Sequence, residues 1–156
     1  MKRTALYCLS LFLSGIAATA PALAAVTAED AWVRATVPGQ TVAAGYMKLR
    51  SSETAALVDV STPAAAKSEI HEMSMQDGVM KMRRVTRVPL PADRTVEFKP
   101  GGYHLMLVNI PRPLKAGEKI PLTLVIEQAD KKRVEVHVEA DVRSTSGAKP
   151  THEHHH

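Results

Sequence analysis

Residues 120–138 read IPLTLVIEQADKKRVEVHV and decide the fold class of this chain. Apolar residues occupy every second position from Ile120 to Ile126, and again from Val134 to Val138. A period of two is typical of β-strands that bury one face in a core. Between the two runs, Ala129-Asp130-Lys131 predicts a turn. This stretch therefore predicts an antiparallel β-hairpin.

Shorter runs upstream repeat this pattern at regular spacing and indicate further strands. Pro63 to Lys67 predicts one helical turn capped by Ser61 or Thr62, and Gly45 predicts a bulge or a close approach between strands. No long amphipathic helix is indicated. The chain is therefore expected to form an antiparallel β-sandwich or barrel. The predicted strands cover residues 30–34, 42–49, 55–61, 69–73, 79–85, 94–98 and 103–110, with turns such as Asp77-Gly78 between them.

The N-terminal segment, residues 1–24, has the pattern of a cleavable secretory signal. Lys2 and Arg3 give it a positive start, an apolar run follows, and Ala22-Leu23-Ala24 is a small-x-small cleavage site. The apolar run is short for a membrane span, and no second candidate follows it. We therefore expect export to the periplasm and no membrane span in the mature form. The chain's single cysteine, Cys8, would leave with this segment.

The remaining chain is long enough for one domain, expected over residues 25–142, followed by a polar tail over 143–156. The tail ends with His152, His154, His155 and His156, which could form a second metal site suited to Cu(II). An added affinity tag is the alternative explanation, although the interrupting Glu153 is unusual for a tag.

The composition argues against several classes of function. The formal net charge is +4, but the charges are interspersed and no basic stripe alternates with aromatic residues, so nucleic acid is a poor candidate partner. The chain without residues 1–24 contains no cysteine, which removes disulfides, zinc-thiolate sites and blue-copper electron transfer, since the latter needs a thiolate ligand. No nucleophile–base constellation and no phosphate-binding loop are present, and we expect no enzyme activity.

The residues with metal-binding chemistry lie between His71 and Met106. Ten residues separate His71 from Met82, twenty-one separate Met82 from His104, and one separates His104 from Met106. Two imidazoles and two thioethers form a neutral, soft donor set that suits Cu(I) better than zinc, iron or a hard cation. His104 and Met106 lie two residues apart and so share one face of a strand.

Each of these residues also has an ordinary structural explanation. Methionine commonly fills gaps in cores, and a histidine can be hydrogen-bonded or exposed. Met80 and Met73 are the alternatives to Met82 as a ligand. Five of the seven methionines fall between residues 73 and 106, a clustering that packing alone does not explain. By contrast, His137 on the polar side of its strand is expected to be a surface residue.

The pattern H-x10-M-x21-H-x-M resembles the signature of the periplasmic copper chaperones called PCu(A)C. The resemblance covers essentially the whole domain. It includes Ala44-Gly45-Tyr46-Met47, His71-Glu72-Met73, Gly78-Val79-Met80-Lys81-Met82-Arg83, Lys99-Pro100-Gly101-Gly102-Tyr103-His104-Leu105-Met106-Leu107 and Leu114-Lys115-Ala116-Gly117.

This resemblance implies a cupredoxin-like Greek-key β-barrel that holds Cu(I) through His71, Met82, His104 and Met106. It also implies delivery of copper for assembly of the copper centre of cytochrome c oxidase. A Sco-type thiol protein and an oxidase subunit would be the recipients. The alternative hypothesis is a periplasmic storage or detoxification protein without a dedicated recipient, and the histidine-rich tail is its best support.

Overall fold

The structure is a computed structural model that describes residues 25–144. These residues form ten β-strands and no helix. The strands are β1 (Val26–Arg34), β2 (Val42–Ser51), β3 (Ala55–Ser61), β4 (Lys67–Gln76), β5 (Val79–Val85), β6 (Val88–Leu90), β7 (Thr95–Phe98), β8 (Tyr103–Val108), β9 (Lys119–Gln128) and β10 (Arg133–Arg143).

All ten strands belong to one sheet that curls into a nearly closed barrel. The spatial order is β5-β4-β8-β7-β2-β1-β10-β9-β3-β6, and β8 also pairs with β2. The β1–β10 and β7–β8 pairs are parallel, and the other pairs of neighbouring strands are antiparallel. The predicted all-β, cupredoxin-like fold is thus confirmed.

The hairpin predicted over residues 120–138 is the β9–β10 pair. Ile126 lies opposite Val134 and Leu122 opposite Val138, so the two apolar runs share one face. The β9 residues of that face are buried, those of β10 from Val134 to Val138 are half-buried, and the intervening Glu135, His137 and Glu139 are exposed. Alternation in the sequence is therefore reproduced as alternation between core and solvent.

One local prediction was wrong, and one strand was not predicted. Residues 63–66 form turns and bends rather than a helical turn. The Ala66 amide donates to the carbonyl of Asn109 at 3.2 Å instead of bonding within a helix, although Thr62 Oγ1 does accept from the Ala64 amide. The sequence also gave no sign of β6, because it has only three residues and a proline at its centre. Proline is tolerated there because β6 is an edge strand.

The position of β8 determines which side chains meet outside the barrel. Leu105 and Leu107 are fully buried in the core, so His104 and Met106 project from the opposite face of the same strand. On that strand, Leu105 packs against Gly45 of β2. A Cβ atom added at Gly45 would lie only 3.3 Å from Leu105 Cβ and from Val33 Cγ2. The close approach predicted at Gly45 is therefore present.

Two predicted segments, the signal peptide over 1–24 and the tail histidines, lie outside the described residues. β10 includes Arg143, the first residue assigned to the tail. No helix between residues 25 and 144 is long and apolar enough to cross a membrane.

Candidate metal centre

The predicted donor residues come from three adjacent strands, β5, β4 and β8. His71 of β4 lies directly opposite His104 of β8, and Met73 of β4 lies opposite Met82 of β5. Residues directly opposite in an antiparallel pair project from the same face. The outer face of these three strands therefore carries both histidines, Met73 and Met82.

The ring of His104 is oriented by a hydrogen bond to the backbone. It is only 5% exposed, and its Nδ1 lies 3.1 Å from the carbonyl oxygen of Gly102. A carbonyl can only accept, so Nδ1 carries the proton and donates, and Nε2 of the neutral ring keeps its lone pair. That Nε2 lies 3.2 Å from Met82 Sδ. Two electron-pair donors thus face each other across β4.

His71 is oriented by a carboxylate. Its Nε2 lies 2.8 Å from Oε2 of Glu69 on the same strand. An ionised carboxylate only accepts, so His71 donates through Nε2–H and its Nδ1 keeps the lone pair. Nδ1 is buried and has no hydrogen-bond partner. The rings of His71 and His104 lie 5.7 Å apart, centroid to centroid.

The charge of Glu69 is stabilised by basic neighbours. Hydrogen bonds from Lys67 and His71, together with the nearby charge of Arg84, lower the pKa of Glu69 to about 2. The Arg84 guanidinium lies 3.8 Å from Oε1 of Glu69. Glu69 is therefore ionised at neutral pH and serves as a permanent acceptor for His71. Sequence reasoning missed this residue, and a carboxylate two positions before His71 was the available signal.

The two methionines of the predicted set differ in their surroundings. Met82 is 54% exposed, so one end of the donor group opens to solvent. Met106 is half-buried and lies opposite Glu69 of β4 and Ala44 of β2. It lines a surface depression with Gln40, Val42 and Ala44. The structure thus brings His104 into contact with Met82 and places His71 next to them, whereas Met106 lies on the same face beside β2.

The distances suit a single bound ion. With zinc bond lengths as a scale, about 2.0 Å to nitrogen and about 2.3 Å to thiolate sulfur, two such donors lie about 3.5 Å apart at a tetrahedral ion. His104 Nε2 and Met82 Sδ, at 3.2 Å, need to move apart by only a few tenths of an ångström. Each histidine also has its second nitrogen bound to an acceptor, as metal-ligating histidines almost always do. Imidazole and thioether are the donors that converge here.

The other histidine of the described residues is remote from this group. His137 is exposed on β10, and its Nδ1 lies 3.2 Å from Thr123 Oγ1 of β9. Within residues 25–144, no three His, Cys, Asp or Glu side chains are grouped so that they could hold a metal ion.

Comparison with known proteins places this chain in a family. The LpqE-like family, described as "Putative lipoprotein LpqE-like", matches residues 26–138. The "Putative lipoprotein Lxx21020" of Leifsonia xyli subsp. xyli is 34% identical over 133 residues, which cover 80% of this chain and 80% of that protein.

Solved structures share the fold. The copper-bound PCuAC domain from PmoF2 has a TM-score of 0.61 and 27% identity, covering 76% of this chain and 92% of that domain. The solution structure of CuI-DR1885 from Deinococcus radiodurans has a TM-score of 0.53 and 29% identity, covering 83% of each chain. By family match, identity and barrel architecture, this chain belongs to the LpqE-like family of PCuAC-related proteins.

Proposed function

We propose that this protein is an exported copper chaperone that binds one Cu(I) ion through His71, Met82, His104 and Met106. The observation that carries the proposal is the pair of donors, His104 Nε2 and Met82 Sδ, facing each other at 3.2 Å. The ring of His71 lies next to that of His104, and its buried Nδ1 has no hydrogen-bond partner. A buried polar atom without a partner is costly, and a metal ion would supply the missing partner.

The chemistry of these donors favours Cu(I). Thioether and neutral imidazole are soft to intermediate ligands, which select monovalent copper over hard cations. Neither donor forms a disulfide, so the site would survive in an oxidising compartment. The similar structures include a copper-bound PmoF2 domain and the CuI form of DR1885, which supports copper as the metal.

The exposure of the site suits transfer. The rigid sheet holds His71 and His104 in place before binding, which limits the ordering entropy lost when the ion arrives. Met82 stands at the solvent side, so an incoming ligand of a partner can replace it first. We therefore propose transfer by stepwise ligand exchange. Met106 would turn from its depression towards β4 to complete the set.

The ligand set can be tested by X-ray absorption of the Cu(I)-loaded chain, with the four tail histidines replaced by alanine throughout. We expect His104→Ala to lose a nitrogen scatterer and Met82→Ala to lose a sulfur scatterer, each with at least about tenfold weaker binding. His137→Ala is the matched control and should change neither. Spectra of the first two variants identical to that of the parent chain would exclude this site.

We further propose that the copper is delivered for assembly of the cytochrome c oxidase copper centre, by way of a Sco-type thiol protein. The predicted export signal and the PCu(A)C-like sequence pattern support this destination. A deletion strain should lose oxidase-bound copper while keeping its copper tolerance. A strain with normal oxidase copper and reduced tolerance would instead indicate the storage function.

A further inference from the structure

We infer that Met75 and Met80 form a second Cu(I) site, made of thioethers alone, which receives the ion at the tip of the β4–β5 hairpin and passes it inward. The binding part of this inference depends only on these two residues. The transfer part rests on the proposed copper site at His71 and His104.

The hairpin places its methionines in successive pairs. Met73 lies opposite Met82, and one step further out Met75 lies opposite Met80. Directly opposed side chains have Cβ atoms about 4.5–5.5 Å apart, within reach of one ion for two flexible thioethers. The two pairs are two residues apart along each strand, which corresponds to about 7 Å. The outer pair thus adjoins the pair that contains Met82.

The methionines of this hairpin are exposed in a way that core packing does not explain. Met75 is 64% exposed and Met80 is 45% exposed, so neither fills a gap in the barrel. Of the five large hydrophobic side chains exposed among the described residues, four lie in this hairpin. An exposed methionine side chain gains no free energy from burial of its apolar surface. This points to a use for the sulfur.

Sulfur is segregated to one face of the hairpin. Val79, Lys81 and Arg83 alternate with the methionines of β5 and so project from the other face. Arg83 is bound there to Glu72, with Nη2 2.6 Å from Oε2. The thioethers therefore share the face that carries His71 and His104. Chance exposure of apolar side chains would not sort them in this way.

The turn keeps the pairs in register. Asp77 and Gly78 connect the strands in two residues and both have positive φ, +52° and +76°. Positive φ at both central positions is the geometry of a type I′ turn, which matches the twist of a hairpin. The register of β4 and β5 is fixed by this turn, because a slip by one residue would turn every side chain to the opposite face.

The transfer step requires no change in oxidation state and no proton. Cu(I) held by Met75 and Met80 forms new Cu–S bonds to Met73 and Met82 as the outer Cu–S bonds break. The imidazole nitrogens then replace thioether ligands at the inner site. Two thioethers bind Cu(I) more weakly than the four ligands of the proposed inner site, because they form fewer bonds to the ion, and this difference drives the ion inward.

The test uses the full-length chain without the ligands of the proposed inner site and without the tail histidines. In it, His71, His104 and the four tail histidines are changed to alanine, and Met82 and Met106 are changed to leucine. Cu(I) is supplied as a complex with a chromophoric chelator. We expect this chain to retain about one weakly bound Cu(I) with sulfur scatterers. Adding Met75→Leu and Met80→Leu should abolish that binding. Adding Met47→Leu, which removes a buried thioether elsewhere, should leave it unchanged.

A second measurement leaves the inner site and the tail histidines unchanged. In the otherwise unchanged chain, Met75→Leu with Met80→Leu should leave the equilibrium affinity for Cu(I) unaltered and slow loading from the chelator by at least about threefold. Equal loading rates would overturn the inference, and so would sulfur-bound copper that persists without Met75 and Met80 in the chain that lacks the inner site. Failure of the inner site is distinguished by the chain in which only the tail histidines are replaced, which would then show no nitrogen scatterer, whatever the outer pair does.

Discussion

At the scale of single residues, Glu69 bridges the ammonium group of Lys67 and the ring of His71 on β4. Its carboxylate accepts from Nε2–H of His71 and from Lys67. Because a low pKa keeps Glu69 ionised, the imidazole is held in the tautomer that leaves Nδ1 free. Glu69 therefore acts on the proposed metal through His71 rather than by direct coordination.

Replacing Glu69 by glutamine should weaken Cu(I) binding by about 10- to 100-fold, the usual effect of losing the acceptor behind a metal-binding histidine. The amide retains the shape of the side chain but can also donate, so the tautomer of His71 is no longer fixed. Competition with a chromophoric Cu(I) chelator measures the change. Glu72→Gln is the control, since Glu72 binds Arg83 on the other face. Equal affinities for the two variants would show that Glu69 does not position His71.

At the scale of elements, the contact between β2 and β8 decides how β8 presents its donors. Gly45 lies opposite Leu105, the residue between His104 and Met106. Because glycine has no Cβ, Leu105 and Val33 pack closely over this point. β2 and β8 can therefore lie close together while His104 remains directed outward.

We expect Gly45→Ala to lower the free energy of unfolding by about 1–3 kcal/mol, because the added methyl group overpacks the core against Leu105 and Val33. Urea denaturation followed by circular dichroism measures the loss. Gly102→Ala is the matched control: its Cβ would meet only Lys99, at 3.7 Å, and its stability should stay within about 0.5 kcal/mol of the parent chain. A Gly45→Ala protein as stable as the control would refute the role of close packing.

At the scale of the whole molecule, Glu127 joins parts of the barrel that are distant in sequence. It lies near the end of β9, and its Oε1 is 2.6 Å from Nη1 of Arg87, which precedes β6. It also accepts from Lys131 in the β9–β10 turn at 3.2 Å. Hydrogen bonds from Arg87, and then from Lys131, lower the pKa of this carboxyl below its ordinary value of 4.5.

A carboxyl whose pKa falls on folding stabilises the folded state above its unfolded pKa and loses that contribution as the pH falls. Glu127→Gln should therefore be less stable than the parent chain at pH 7, and the difference should shrink below pH 4.5, the ordinary value. Urea midpoints at pH 7 and pH 3 measure both. Asp59→Asn, outside this ion-pair group, is the control. A stability difference that does not depend on pH would contradict the assignment.

The sequence by itself determined the described strands other than β6, and the faces of their side chains. Period-two alternation marks Ile120 to Val138 as a hairpin because neighbouring side chains of a strand point to opposite sides. The same rule puts His104 and Met106 on one face. The types of donor, imidazole and thioether without thiolate, are also evident from the sequence. They predict copper without any knowledge of which residues are in contact.

Only the tertiary structure decided which strands are neighbours. The sheet places β4 between β5 and β8, so that Met82 meets His104 across a strand to which neither belongs. The tertiary structure also places Met106 beside β2 and brings the Glu69 carboxylate within hydrogen-bonding distance of His71. Alternation along a strand specifies the face of a side chain, whereas strand order and register depend on burying the whole core at once, which no local pattern contains.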